Sequence, residues 1–87
     1  MNTVFLLMAE YGTTDIPLEV VAEKYMGLAR REAYNRAARQ SLPFPAYRPG
    51  VTQKSPWVVR ITDLAEYLDT ARAAAARDWQ QIQHASA

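Results

Sequence analysis

The run Val20-Val21-Ala22-Glu23-Lys24-Tyr25-Met26-Gly27-Leu28-Ala29-Arg30-Arg31-Glu32-Ala33-Tyr34-Asn35-Arg36 contains two helical patterns separated at Gly27. Leu18, Val21, Ala22, Tyr25 and Met26 recur at the three- and four-residue spacing of one buried stripe. Asp15 stands where it would cap this helix. Pro17 falls in the first turn, where its missing N–H costs nothing, and Glu19 complements the helix dipole. Gly27 ends the helix and Leu28 can drop back into a core. A second helix then starts at Ala29 or Arg30 and runs to about Gln40. Two short helices joined by a three- to four-residue turn containing Gly predict a helix-turn-helix over residues 15–41. One local rule is broken: Ala29 occupies a cap position that prefers Ser or Thr, forgoing about 1 kcal/mol.

A helical wheel divides the second helix into two faces. Ala33, Tyr34 and Ala37 form a small inner face, whereas Arg31, Asn35 and Arg39 share the opposite arc at i, i+4 and i+8. Arg and Asn suit bidentate contacts with guanine and adenine, and the second helix of such a motif enters the major groove with its N-terminal residues at base edges. Arg31 and Asn35 are therefore candidate base readers. Arg36 and Arg39 are candidate phosphate contacts, with Lys24 and Arg30 at the groove edge. Glu32 has two readings: a partner for Arg36 four residues on, or a contact to a cytosine amino group.

Pro43, Pro45, Pro49 and Pro56 exclude helix from the next stretch. Residues 46–48 and 57–61 are short strand candidates, the second alternating Trp57, Val59 and Ile61 on one face. They predict a two-stranded wing over 46–61. Its loop offers Thr52, Gln53, Lys54 and Ser55 to a phosphate or a minor groove, with Arg48 at the base.

Outside this region, residues 3–11 read as a helix capped by Asn2 or Thr3 and stopped by Gly12. It is apolar nearly all round. Val4, Phe5, Leu7 and Met8 either pack across the chain's own core or meet another subunit. Thr62 reads as the cap of a last helix over 62–84, in which Leu64, Leu68, Ala71, Ala75, Trp79 and Ile82 keep one stripe apolar. Its first half is expected on the wing. Beyond about Ala73 it would outrun a small domain, leaving Trp79 and Ile82 to pair with another chain or to sit on a frayed alanine-rich tail.

The whole chain has 87 residues, 49% of them hydrophobic and 22% charged, with three glycines and five prolines. That composition belongs to one folded domain, 1–87, too small for a deep enclosed active site. The absence of cysteine removes disulfides, thiolate chemistry and Cys-type zinc sites, and the single His84 cannot build a metal site alone, so no cofactor is expected. No run approaches the ~20 apolar residues of a membrane span, and Val4 to Ala9 is too short for a secretory leader. A cytoplasmic, membrane-free protein is expected.

The net charge of +1 conceals a strong division. Residues 1–23 sum to −4, residues 24–60 to +7 and residues 61–87 to −2. The positive part coincides with the second helix and the wing, which favours double-stranded DNA as partner. A domain this small covers few base pairs, so a homodimer or higher homo-oligomer is expected to join half-sites.

Two resemblances follow from these residues. Residues 16–70, from the Val20–Leu28 segment through Arg30–Arg36 to Trp57–Ile61 and Asp63-Leu64-Ala65-Glu66-Tyr67-Leu68, resemble the winged helix-turn-helix of excisionase-type and MerR-type DNA-binding domains. More narrowly, Met1 to Ala9, Ile16-Pro17-Leu18, Leu42-Pro43-Phe44-Pro45 and Gln53-Lys54-Ser55-Pro56-Trp57 are similar to the pyocin activator protein (PrtN) family, to about Asp69. That resemblance implies a small prophage-associated transcriptional activator. It would bind repeated promoter boxes upstream of phage-tail-like bacteriocin genes and respond to DNA damage through a repressor, with RNA polymerase a candidate partner.

The fold expected is mainly α with a small β-hairpin wing, a winged helix-turn-helix flanked by an N-terminal helix and a long C-terminal one. Two other functions are compatible with the residues: an excisionase-like architectural protein that bends DNA, and a phage-encoded inhibitor using its apolar helix against a host protein. An enzyme is disfavoured, since Asp63 and Glu66 lie where a helix start wants negative charge.

Overall fold

A computed structural model describes residues 2–86. The chain is mainly helical, with one small antiparallel sheet and a long C-terminal helix, as its patterning predicts. Helix α1 spans Thr3–Tyr11, strand β1 Asp15–Pro17, helix α2 Leu18–Val21, helix α3 Arg30–Ala38, strand β2 Val58–Arg60 and helix α4 Ile61–Ser86.

Helix α1 begins at Asn2, whose side-chain oxygen accepts from the Phe5 N–H at 2.8 Å. It ends at Gly12, which adopts φ 67° while its N–H bonds Met8 O at 2.8 Å. Its inner residues pack against α4.

Residues 15–17 depart from the expected helix start. They form β1, paired with β2 in the register Asp15↔Arg60, Ile16↔Val59 and Pro17↔Val58. Pro17 disfavours the helical conformation at Ile16, and having no N–H it is at home at the end of a strand. Asp15 caps nothing. Its carboxylate instead receives Thr14 Oγ1 at 3.0 Å, the Tyr47 hydroxyl and the Arg60 guanidinium at 2.9 Å. Helix α2 starts at Leu18, whose N–H donates to Trp57 O at 2.9 Å.

Helix α2 continues directly into a π-helical turn, Ala22–Met26. The turn closes on Gly27 at φ 67°, with the Gly27 N–H returning to Ala22 O. Helix α3 follows after the expected short connection, and Ala29 at its N-cap makes no side-chain bond. It stops at Ala38, slightly short of Gln40, which takes φ 57°.

The anticipated hairpin partner of β2 is reduced to a single bridge, Tyr47↔Val58, with bonds of 3.0 and 2.8 Å. Strand β2 thus lies between β1 and Tyr47. Helix α4 begins one residue early, at Ile61, whose N–H bonds Thr14 O at 2.8 Å, so Thr62 sits inside the first turn instead of capping it. Its first half packs chiefly on α1 and also on β2.

The core joins every element: Leu7, Ile16, Leu18, Val21, Ala22, Ala33, Ala37, Phe44, Val59, Ile61, Leu64 and Ala65. Phe44 meets Tyr67 edge-on, centroids 5.3 Å apart. Past Ala74 the α4 side chains are exposed through His84, and this projection gives the molecule its 57 × 27 × 17 Å dimensions.

Candidate nucleic-acid interface

Helix α3 is oriented by its two alanines. Ala33 and Ala37 are buried against the core, which forces residues on the far arc outward. Arg31, Asn35 and Arg39 are exposed there, and among the described residues their side chains make no hydrogen bond or ion pair. Arg39 occupies the C-cap.

The neighbouring cations are committed to the protein itself. Arg36 Nε donates to Glu32 Oε1 at 3.0 Å, which settles Glu32 as its intrahelical partner. Arg30 lies over the Tyr34 ring at 5.1 Å, and the Tyr34 hydroxyl donates to Glu19. Lys24 belongs to a different cluster. Its ammonium pairs with Glu10 at 2.5 Å and lies 5.2 and 5.4 Å from the Tyr11 and Tyr25 ring centroids, while the two tyrosine hydroxyls are 3.1 Å apart. The Glu10 contact holds the Lys24 ammonium above its ordinary range, and burial, with the Tyr11 hydrogen bond adding, pushes the Tyr25 phenol up to about 12.

In the loop following Tyr47, Thr52, Gln53 and Lys54 are exposed. Ser55 is half-buried and works as a loop closure: its Oγ accepts from the Gly50 N–H at 2.8 Å and its own N–H donates to Thr52 O at 3.1 Å. A Cβ on Gly50 would stand 2.8 Å from that oxygen. Arg48 lies flat against Trp57, its guanidinium carbon 4.7 Å from the ring centroid. The stacking of Arg48 on Trp57 was not evident from spacing, because nine residues separate them and only the Tyr47–Val58 bridge sets them opposite each other.

The residues expected at a subunit interface divide. Leu7 is only 5% exposed and Val4 packs against the core, so both serve the protomer's own interior. Phe5 (62% exposed), Met8, Trp79 (63%) and Ile82 face outward, as does Leu6, which periodicity had not singled out.

A profile of the pyocin activator protein PrtN matches residues 3–75, most of the chain. The chain belongs to that family. The PrtN match includes every element through the middle of α4 and reaches past Asp69, where the resemblance had been expected to stop. No curated protein and no solved structure matches the chain. Among the described residues no helix is long and apolar enough to cross a membrane.

Proposed function

We propose that this PrtN-family chain is a sequence-specific DNA-binding transcriptional activator of prophage-borne, pyocin-like genes. In this reading α2 and α3 form a helix-turn-helix, α3 enters the major groove, and the loop between Tyr47 and Val58 is a wing that meets the backbone or minor groove. Arg31 and Asn35 read bases and Arg39 holds a phosphate. The working unit is a homodimer or higher homo-oligomer in the cytoplasm, joined through the outer face of α1 and the projecting end of α4. RNA polymerase is the partner that activation requires.

The observation that carries the reading is the exposed, uncommitted row of Arg31, Asn35 and Arg39 opposite the buried alanines. Charge supports it, since the flanks of the +7 segment are acidic. Arg31→Ala and Arg39→Ala should each weaken binding to the promoter duplex by about tenfold, the equivalent of 1–3 kcal/mol per specific contact, with helical circular dichroism unchanged. Undiminished affinity in both variants would sink the proposal.

A further inference from the structure

The cations of this chain divide by what answers their charge. Lys24 has Glu10, Arg36 has Glu32 and Arg60 has Asp15. Arg48 is half-buried, yet among the described residues no carboxylate lies within ion-pair distance. Its flat contact with Trp57 is attractive but leaves the positive charge uncompensated. Buried and half-buried charges normally find a counter-charge, so an unanswered one points outside the chain.

The hydrogen-bonding state of the pair is equally specific. Arg48 Nε and Trp57 Nε1 are both covered and neither has an acceptor. The Nη groups of Arg48 are not covered in this way, so the forked end of the guanidinium is its accessible edge. The backbone fixes the arrangement: Arg48 and Trp57 immediately flank the two-way Tyr47–Val58 bridge, and Trp57 O is held by the Leu18 N–H. Behind them the Gly50–Ser55 bond closes the loop.

We infer that Arg48 and Trp57 form a preset clamp for one DNA backbone phosphate, with Arg48 as the contacting residue and Trp57 as a positioning residue that holds the guanidinium plane. This deepens the DNA-binding reading and rests on it. A planar guanidinium offers two parallel N–H donors to a phosphate, and one already immobilised on an aromatic ring loses less side-chain freedom on binding. Lys at this position would retain charge but neither the fork nor the flat contact.

The test is fluorescence anisotropy on a promoter duplex between about 50 and 200 mM salt. Arg48→Ala should lower affinity about tenfold at the lowest salt and make the slope of log K against log salt shallower by about 0.9. Arg48→Lys should lose most of the same affinity although its charge is intact. Trp57→Leu should match Arg48→Ala, the double variant should lose no more than either, and Trp57→Phe should restore binding. Circular dichroism identifies a Trp57→Leu that fails to fold, in which case Arg48→Lys and Trp57→Phe decide. Wild-type affinity in Arg48→Lys, or additive losses in the double variant, would overturn the clamp while leaving the α3 reading intact. A wild-type protein with no duplex affinity would instead overturn the DNA-binding reading itself.

Discussion

The Tyr34 hydroxyl donates to Glu19 Oε2 at 2.9 Å, so a single hydrogen bond fastens α3 to the helix before the turn. Buried small residues set the depth of α3, and this bond helps fix its angle. Tyr34→Phe should therefore cost about 1 kcal/mol in urea unfolding. It should also reduce duplex affinity, although Tyr34 lies on the inner side of the helix, because Arg31 and Asn35 would be presented less consistently.

The link between Asp15 and the sheet has a pH consequence. The Tyr47 hydrogen bond, with Thr14 and Arg60 adding, holds the Asp15 carboxyl below its ordinary 3.8. A carboxyl depressed in the folded state contributes stability fully above its unfolded value and loses it as pH falls through the folded one. Melting temperature should thus drop in the acid range below about pH 4. Asp15→Asn should melt lower than wild type at pH 7 and show a smaller acid drop, measured by thermal circular dichroism from neutral pH downward.

The Glu32–Arg36 pair separates two kinds of arginine on α3. Both partners are substantially exposed, so breaking the pair should change stability by no more than about 0.5 kcal/mol. Since Arg36 is occupied within the helix, Arg36→Ala should reduce duplex affinity less than Arg31→Ala or Arg39→Ala. Titrations of the three variants under one salt condition provide the comparison.

Leu7 and its neighbours on α1 should respond in opposite ways. Leu7→Ala removes a core side chain and should cost about 2–5 kcal/mol at any protein concentration. Paired Phe5→Ser and Leu6→Ser changes, or Trp79→Ala, should leave the protomer folded and lower the mass measured by light scattering. They should also weaken the concentration dependence of melting. An unchanged mass in all of them would remove α1 and α4 from the proposed assembly surface.

What could be read from the chain and what could not follow the range of the interactions. Helix α1, its Asn2 cap and the Gly12 and Gly27 stops are local, determined by side-chain reach and by φ within a few residues. The exposed face of α3 was equally legible, because Ala33 and Ala37 leave no other face to bury. Asp15-Ile16-Pro17 was misread because the same three residues suit a helix entrance and an extended edge. The free edge of β2, more than forty residues away, decides between them. Lys24 looked available for a phosphate since its Glu10 partner is brought near by helix packing, and the Arg48–Trp57 contact depends in the same way on a bridge between distant residues.

The π-helical turn at Ala22–Met26 has the length of an α-helical turn with one surplus residue. Removing that residue would let the segment relax to ordinary α geometry and shift the phase of everything after it by about 100°. A one-residue deletion there leaves the composition of α3 untouched while turning its arginine row toward a different direction. The aim of the helix is thus stored as a count of residues upstream of it, which makes this part of the chain far less tolerant of a length change than of a substitution.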